Sequence, residues 1–197
     1  MSEILRKVCV FCGSSTGDHP EFRSAAEHLG RELVRRNIGL VFGGGCVGLM
    51  GILADTVLAG GGHAIGVIPH ALVSRELAHP RLPDLRIVNS MHERKAIMAS
   101  LADAFVALPG GFGTFEEFCE AVTWTQLGLH KKRCGLLNTG GYYDPLLALF
   151  DRAVNDGFVN RANRSIVLSE SDPALLLEAL ATSVEPGVQW LRSSEET

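Results

Sequence analysis

Ala104-Phe105-Val106-Ala107-Leu108-Pro109-Gly110-Gly111-Phe112-Gly113-Thr114-Phe115-Glu116-Glu117 joins an uncharged apolar run, a glycine-rich turn and the start of an amphipathic stretch. Ala104–Leu108 has no polar alternation, so it reads as a strand buried on both faces. Phe115, Phe118, Cys119 and Val122 recur at i, i+3, i+4 and i+7, the spacing of one helix face turned to a core. A helix is therefore expected over Phe115–Leu127. Strand, glycine turn and helix in succession are one step of a parallel α/β arrangement.

The same succession runs outward in both directions. Val8–Cys12, Ile38–Phe42, Ala64–Ile68, Leu85–Val88 and Cys134–Leu137 read as buried strands, with a further short strand at Ser165–Leu168. Helical patterns occupy Glu21–Arg36, Val47–Ala59, Met91–Leu101, Pro145–Val154 and Pro173–Ala181. Alternating elements with near-continuous apolar strands predict an α/β fold, a parallel sheet with helices on both faces. No repeat or linker divides the 197 residues, so one domain is expected over the whole chain. In such folds ligands bind beyond the carboxyl ends of the strands.

Composition narrows the function classes. The chain is 46% hydrophobic and 20% charged, with a net charge of −4. A nucleic-acid binder needs a basic surplus for phosphate contacts, so none is expected. No apolar run approaches the roughly 20 residues that span a bilayer. The N-terminal apolar run is too short for a secretion signal and reads as the first strand. The expected location is the cytoplasm, without membrane attachment. Five cysteines, Cys9, Cys12, Cys46, Cys119 and Cys134, are odd in number and scattered, which suggests free thiols. Cys9 and Cys12 stand three apart on a strand, so they face opposite ways and cannot share one metal. No His or acidic cluster has ligand spacing, and no metal or cofactor is expected.

Three glycine-rich loops follow strands: Gly13–Gly17, Gly43–Gly48 and Pro109–Thr114. The second matches G-x-G-x-x-G, but no carboxylate ends the following strand to hold a dinucleotide's ribose. A mononucleotide fits better, with Ser14 and Gly45 as candidate contacts. There is no Gly-Lys-Ser/Thr of a nucleoside triphosphatase. In the third loop, glycines would free backbone amides for an anion at a helix start, with Thr114 adding a hydroxyl. Glu117 has two readings. Thr114-x-x-Glu117 is the pattern of a capping box, or Glu117 is a catalytic carboxylate. Ser90-x-x-Glu93 is read as a capping box outright. Arg94 and Lys95 then fall in a helix's first turn, where the dipole disfavours cations by about 0.3–1 kcal/mol unless an anion is near. His92 is read as structural, and Asp103 as a cap or pair.

These stretches resemble one family. Pro109–Glu117 resembles the PGGxGTxxE signature, and Ser90–Lys95 (SMHERK) the MHxRK signature, of the LOG family of cytokinin riboside 5′-monophosphate phosphoribohydrolases. CVFCGSS from Cys9, FGGGCVGLMG from Phe42, GVIP from Gly66, WTQLG from Trp124 and LLNTGGYY from Leu136 are similar to it too, in the family's order. Members are often labelled lysine decarboxylases, although this chain has no recognisable pyridoxal-phosphate site. The resemblance implies a Rossmann-like homodimer that hydrolyses the N-glycosidic bond of N6-substituted AMP. It implies Arg94 and Glu117 as the catalytic pair, and Gly110, Gly111, Gly113 and Thr114 around the 5′-phosphate. Ser14 and Lys95 are further contacts on the same reading. Phe112 stands where tyrosine is frequent, and Arg133 where proline is common. Two rivals use the same loops: a general AMP nucleosidase, and a nucleotide or molybdenum-cofactor carrier without turnover.

Overall fold

The computed structural model of the protein describes residues 5–73 and 78–182. In chain order they form β1 (Lys7–Phe11), α1 (Pro20–Arg35), β2 (Gly39–Phe42), α2 (Gly48–Ala59), β3 (Ala64–Pro69), α3 (His70–Val73), β4 (Asp84–Val88) and α4 (Met91–Leu101). Then come β5 (Ala104–Ala107), α5 (Phe112–Gln126), β6 (Arg133–Leu137), a 3-10 turn (Thr139–Gly141), α6 (Asp144–Asn155), α7 (Arg161–Arg164), β7 (Val167–Glu170) and α8 (Pro173–Thr182). The strands make one sheet in the order β4-β3-β2-β1-β5-β6-β7, every ladder parallel. The direction of winding reverses between β1 and β5, where such sheets open a crevice.

Strand residues alternate between two cores, as the period of two requires. Val8, Val10, Leu40, Phe42 and Val106 pack with α1, α2 and α8 on one face. Cys9, Phe11, Val41, Phe105 and Cys134 pack with α4 and α5 on the other. Cys9 and Cys12 fall in different cores, as the strand reading expects, and all five cysteines are free. Leu29 and Leu33 of α1 are fully buried, each contributing about 1.5–3 kcal/mol relative to exposure. Asp103 pairs, as expected: its Oδ2 accepts the N–H groups of Arg6 and Lys7 at 2.8 Å.

The boundaries of two elements differ from the sequence reading by two residues or more. Helix α5 starts at Phe112, three residues early, because Gly111 already has extended N-cap dihedrals. The last strand is Val167–Glu170 rather than Ser165–Leu168, since α7 occupies Arg161–Arg164 just before it. Helix α6 has an apolar stripe but no fully buried residue; Leu149 is exposed on it, and Phe158 beyond its end is 80% exposed. Among the described residues no helix is long and apolar enough to cross a membrane.

Candidate functional site

The loops after β1, β2 and β5 meet at the β1/β5 crevice, and Gly13 ties them together. Its N–H donates to the Pro109 carbonyl at 3.1 Å, and its carbonyl accepts the Leu49 N–H at 3.0 Å. The β1–β5 ladder brings this about, since Phe11 lies opposite Ala107 and each strand then runs into its glycine loop.

Arg94 enters from α4. Ser90 caps that helix, its Oγ accepting the Glu93 N–H at 3.1 Å. The Glu93 carboxylate turns back to the Asn89 N–H at 2.8 Å, so both residues serve the cap. Arg94, one residue on, is only 5% exposed. Its Nη2 lies 3.5 Å from the Gly43 carbonyl oxygen and 4.0 Å from Oε1 of Glu117. A methyl group on Gly43 would stand 2.1 Å from that Nη2, so the second glycine loop is shaped around the guanidinium. Burial pushes the Cys9 thiol well up, and the negative charge of Glu117 adds to the rise while Arg94 opposes it. The charge pair thus lies over the middle of the sheet, within reach of β1.

Glu117 comes from the second turn of α5, its side chain 13% exposed. The capping-box reading of Thr114-x-x-Glu117 fails. The N-cap is Gly111, and Thr114 is already the third helical residue, 4% exposed and packed on Gly110. Glycine-start helices leave their first N–H groups open to an anion. At Gly111 and Gly113 an added methyl group would meet nothing within 4 Å, so the fold of this chain does not itself demand glycine there.

The remaining candidates fall into different places. Ser14 is exposed, with its main-chain carbonyl group against Gly48. Gly45 is buried and bridges Ala78 in an antiparallel pair. Lys95 is turned to α5, its Nζ 2.6 Å from Oε1 of Glu116 and 3.0 Å from Oε1 of Glu120. Burial lowers its pKa, but the two glutamates outweigh this and hold it above the ordinary lysine value. In this chain Lys95 therefore braces α4 against α5.

Sequence reasoning did not find three supports. Gly43 reads from the sequence as one residue of a mononucleotide loop, not as the seat of the Arg94 guanidinium. His79 is buried, with Nε2 3.0 Å from Oδ1 of Asp55, and its N–H donates to the Gly44 carbonyl at 2.9 Å. Tyr142 and Tyr143 donate their hydroxyls to Gly110 and Leu108 at 2.5 and 2.6 Å. The paired tyrosines after Gly140-Gly141 were the available signal. A cavity of about 470 Å³ opens at the opposite, amino end of the strands, lined in part by Arg6, His63, Asp84 and Arg86. It contains none of the candidate residues, and its Arg86 is engaged by Asp84 at 3.1 Å.

Fold and site together define a class: a parallel α/β protein with a largely buried carboxylate–guanidinium pair at the winding reversal, beside a glycine-opened helix start. Comparison with known proteins goes further. A family model described as "Possible lysine decarboxylase" matches residues 50–180. A probable cytokinin riboside 5′-monophosphate phosphoribohydrolase of Oryza sativa subsp. japonica is 54% identical over 89% of this chain and 78% of its own length. A cytokinin riboside 5′-monophosphate phosphoribohydrolase of Arabidopsis thaliana is 50% identical over 89% of this chain and 83% of its own. Among solved structures, the molybdenum cofactor carrier protein of Chlamydomonas reinhardtii superposes with a TM-score of 0.67 at 20% identity, over 91% of this chain and 99% of that one. That likeness is one of fold. The chain belongs to the family of cytokinin riboside 5′-monophosphate phosphoribohydrolases.

Proposed function

We propose that this chain hydrolyses the N-glycosidic bond of an N6-modified AMP, releasing the free cytokinin base and ribose 5-phosphate. The observation that carries the reading is the Arg94–Glu117 pair, 4.0 Å apart and mostly buried, next to the open amides that begin α5. Breaking the C1′–N bond sends its electron pair to the purine and leaves oxocarbenium charge on the ribose. Glu117 is the group to stabilise that cation, or to orient the water that supplies hydroxide to C1′. The proton from water balances the charge on the departing base. Arg94 anchors the nucleotide and offsets developing negative charge. Gly110, Gly111, Gly113 and Thr114 take the 5′-phosphate at the start of α5, fixing the sugar at a distance from the scissile bond. Ser14 and Gly45 border the same crevice from the other two loops.

The working unit on this reading is a homodimer in the cytoplasm. Leu149, on the outer side of α6, and Phe158, beyond its end, are exposed and are what a second copy would bury. Five free cysteines suit a reducing compartment.

Incubation with AMP and with isopentenyl-AMP, followed by chromatography of the free base, tests the reading. Faster release from isopentenyl-AMP is expected. Release from AMP alone would move the substrate to unmodified nucleotides. Bound nucleotide without release from either would overturn hydrolysis in favour of a carrier. Glu117→Gln should fold normally and lose turnover by about a hundredfold or more.

A further inference from the structure

The turn after β6, Asn138-Thr139-Gly140-Gly141-Tyr142-Tyr143, has no part in the reaction so far. Its geometry is closely determined. The Asn138 side chain accepts the Tyr143 N–H at 2.7 Å and donates to Asp144 at 2.7 Å. Gly140 and Gly141 both have positive φ, 61° and 73°, a conformation that side-chain-bearing residues rarely adopt. A methyl group on Gly140 would also lie 2.2 Å from Oε1 of Glu21. The double glycine turn delivers two adjacent tyrosines onto one short stretch of backbone.

There, three consecutive carbonyls each receive a donor from elsewhere in the chain, two of them from the adjacent tyrosines. Leu108 accepts from the Tyr143 hydroxyl at 2.6 Å, Pro109 from the Gly13 N–H at 3.1 Å, and Gly110 from the Tyr142 hydroxyl at 2.5 Å. The last differs from the other two. Leu108 directly follows a strand and Pro109 has a restricted φ. The Gly110–Gly111 peptide has no side chain on either flank, so it can turn over at little steric cost. Because the peptide is planar and trans, holding the Gly110 carbonyl also fixes the Gly111 N–H in the opposite direction. A flipped peptide would present a carbonyl oxygen where an anion needs a donor.

We propose that Tyr142 is a positioning residue whose hydroxyl latches the Gly110–Gly111 peptide in the orientation that offers the Gly111 N–H to the 5′-phosphate. This rests on the phosphate site proposed above. The ring suits a latch. Phe22 meets it edge-on at 5.6 Å, and Phe115 stacks on it at 6.4 Å. The hydroxyl therefore reaches Gly110 from a side chain already held in place. Tyr143, with its ring buried, anchors the turn and gives its hydroxyl to Leu108.

Tyr142→Phe keeps the ring cluster and removes only the O–H. Loss of one hydrogen bond predicts about a tenfold fall in kcat/KM for isopentenyl-AMP, mainly through KM. Inhibition by inorganic phosphate should weaken by a similar factor. Hydrolysis of the corresponding riboside, which has no phosphate, should not change. Tyr143→Phe should lower the melting temperature while leaving phosphate inhibition as in wild type. Equal loss on nucleotide and riboside, or unchanged phosphate inhibition in Tyr142→Phe, would overturn the latch. Equilibrium binding of AMP separates this from the parent reading. Weaker binding by the variant, with no hydrolysis by either protein, retires the reaction and keeps the latch. A wild type that neither binds nor hydrolyses the nucleotide overturns both.

Discussion

In the Gly43–Gly48 loop a methyl group at Gly43 would collide with Arg94, whereas in the Pro109–Thr114 loop methyl groups at Gly111 and Gly113 would enter open space. The two loops look alike in sequence and use glycine for different purposes. The first is small because the protein's own guanidinium fills the room a side chain would take. The second is tight at Gly110, against Thr114, but leaves room unused at Gly111 and Gly113, where α5 begins. Glycine that packing demands reports on the scaffold. Glycine that packing does not demand points to something absent from the chain.

Gly43→Ala puts the sharpest strain on this contrast. Displacing Arg94 should lower kcat/KM on the order of a hundredfold. The overpacking should cost about 1–3 kcal/mol, visible as a lower melting temperature in calorimetry. A fully active, fully stable Gly43→Ala protein would break the contrast at its first term. Gly113→Ala tests the second term. It lies in the first turn of α5 without strain, so the variant should be as stable as wild type or gain up to about 1 kcal/mol, while KM for the nucleotide rises several-fold. Steady-state kinetics beside thermal melts separates the two effects, and an unchanged KM would remove the ligand from the explanation. Lys95→Gln is smaller again. Since Glu116 and Glu120 hold that ammonium, melting should fall by about 1–3 °C with KM within about twofold. A large rise in KM would return Lys95 to the phosphate.

A last test concerns the pH range in which the contrast can be measured. Burial, with Lys132 adding to it, pulls His130 from 6.5 down to about 4. The unfolded chain takes up that proton at the higher pH and the folded chain resists it, so stability falls as pH drops from about 6.5 to about 4. Urea unfolding at pH 7 and pH 4.5 should show this loss, and His130→Phe should show less of it.

Much of the fold was legible because its signals are local and repeated. Six strands, the two opposed thiols and the three glycine loops each follow from period, turn chemistry or face. The start of α5 was misplaced because Gly113 is a poor helix former and Phe112 is 92% exposed, so neither propensity nor pattern includes them. Once that start moves, the Thr114–Glu117 cap disappears with it. Within the site, the sequence singled out Arg94 and Lys95 as charges needing explanation and left Glu117 between a cap and a catalytic carboxylate, with its pairing to Arg94 implied by the family resemblance. It could not assign Lys95 to α5, because Glu116 and Glu120 lie 21 and 25 residues away in the chain. Asp55–His79 and Tyr142–Gly110 span 24 and 32 residues in the same way, and no periodicity records such pairings.

The winding reversal between β1 and β5 makes the site a seam between two halves of the polypeptide. Arg94, Ser14 and the Gly43 loop precede the reversal; Glu117, the Pro109 loop and Tyr142 follow it. The β1–β5 ladder, the Gly13 bonds and the reach of Lys95 to Glu116 and Glu120 sew them together. A ribosome must therefore deliver both halves before any chemistry exists. Cut in the short connection before Asp103, the protein would become a two-piece reporter, with hydrolysis regained on mixing as the signal that the pieces had found each other.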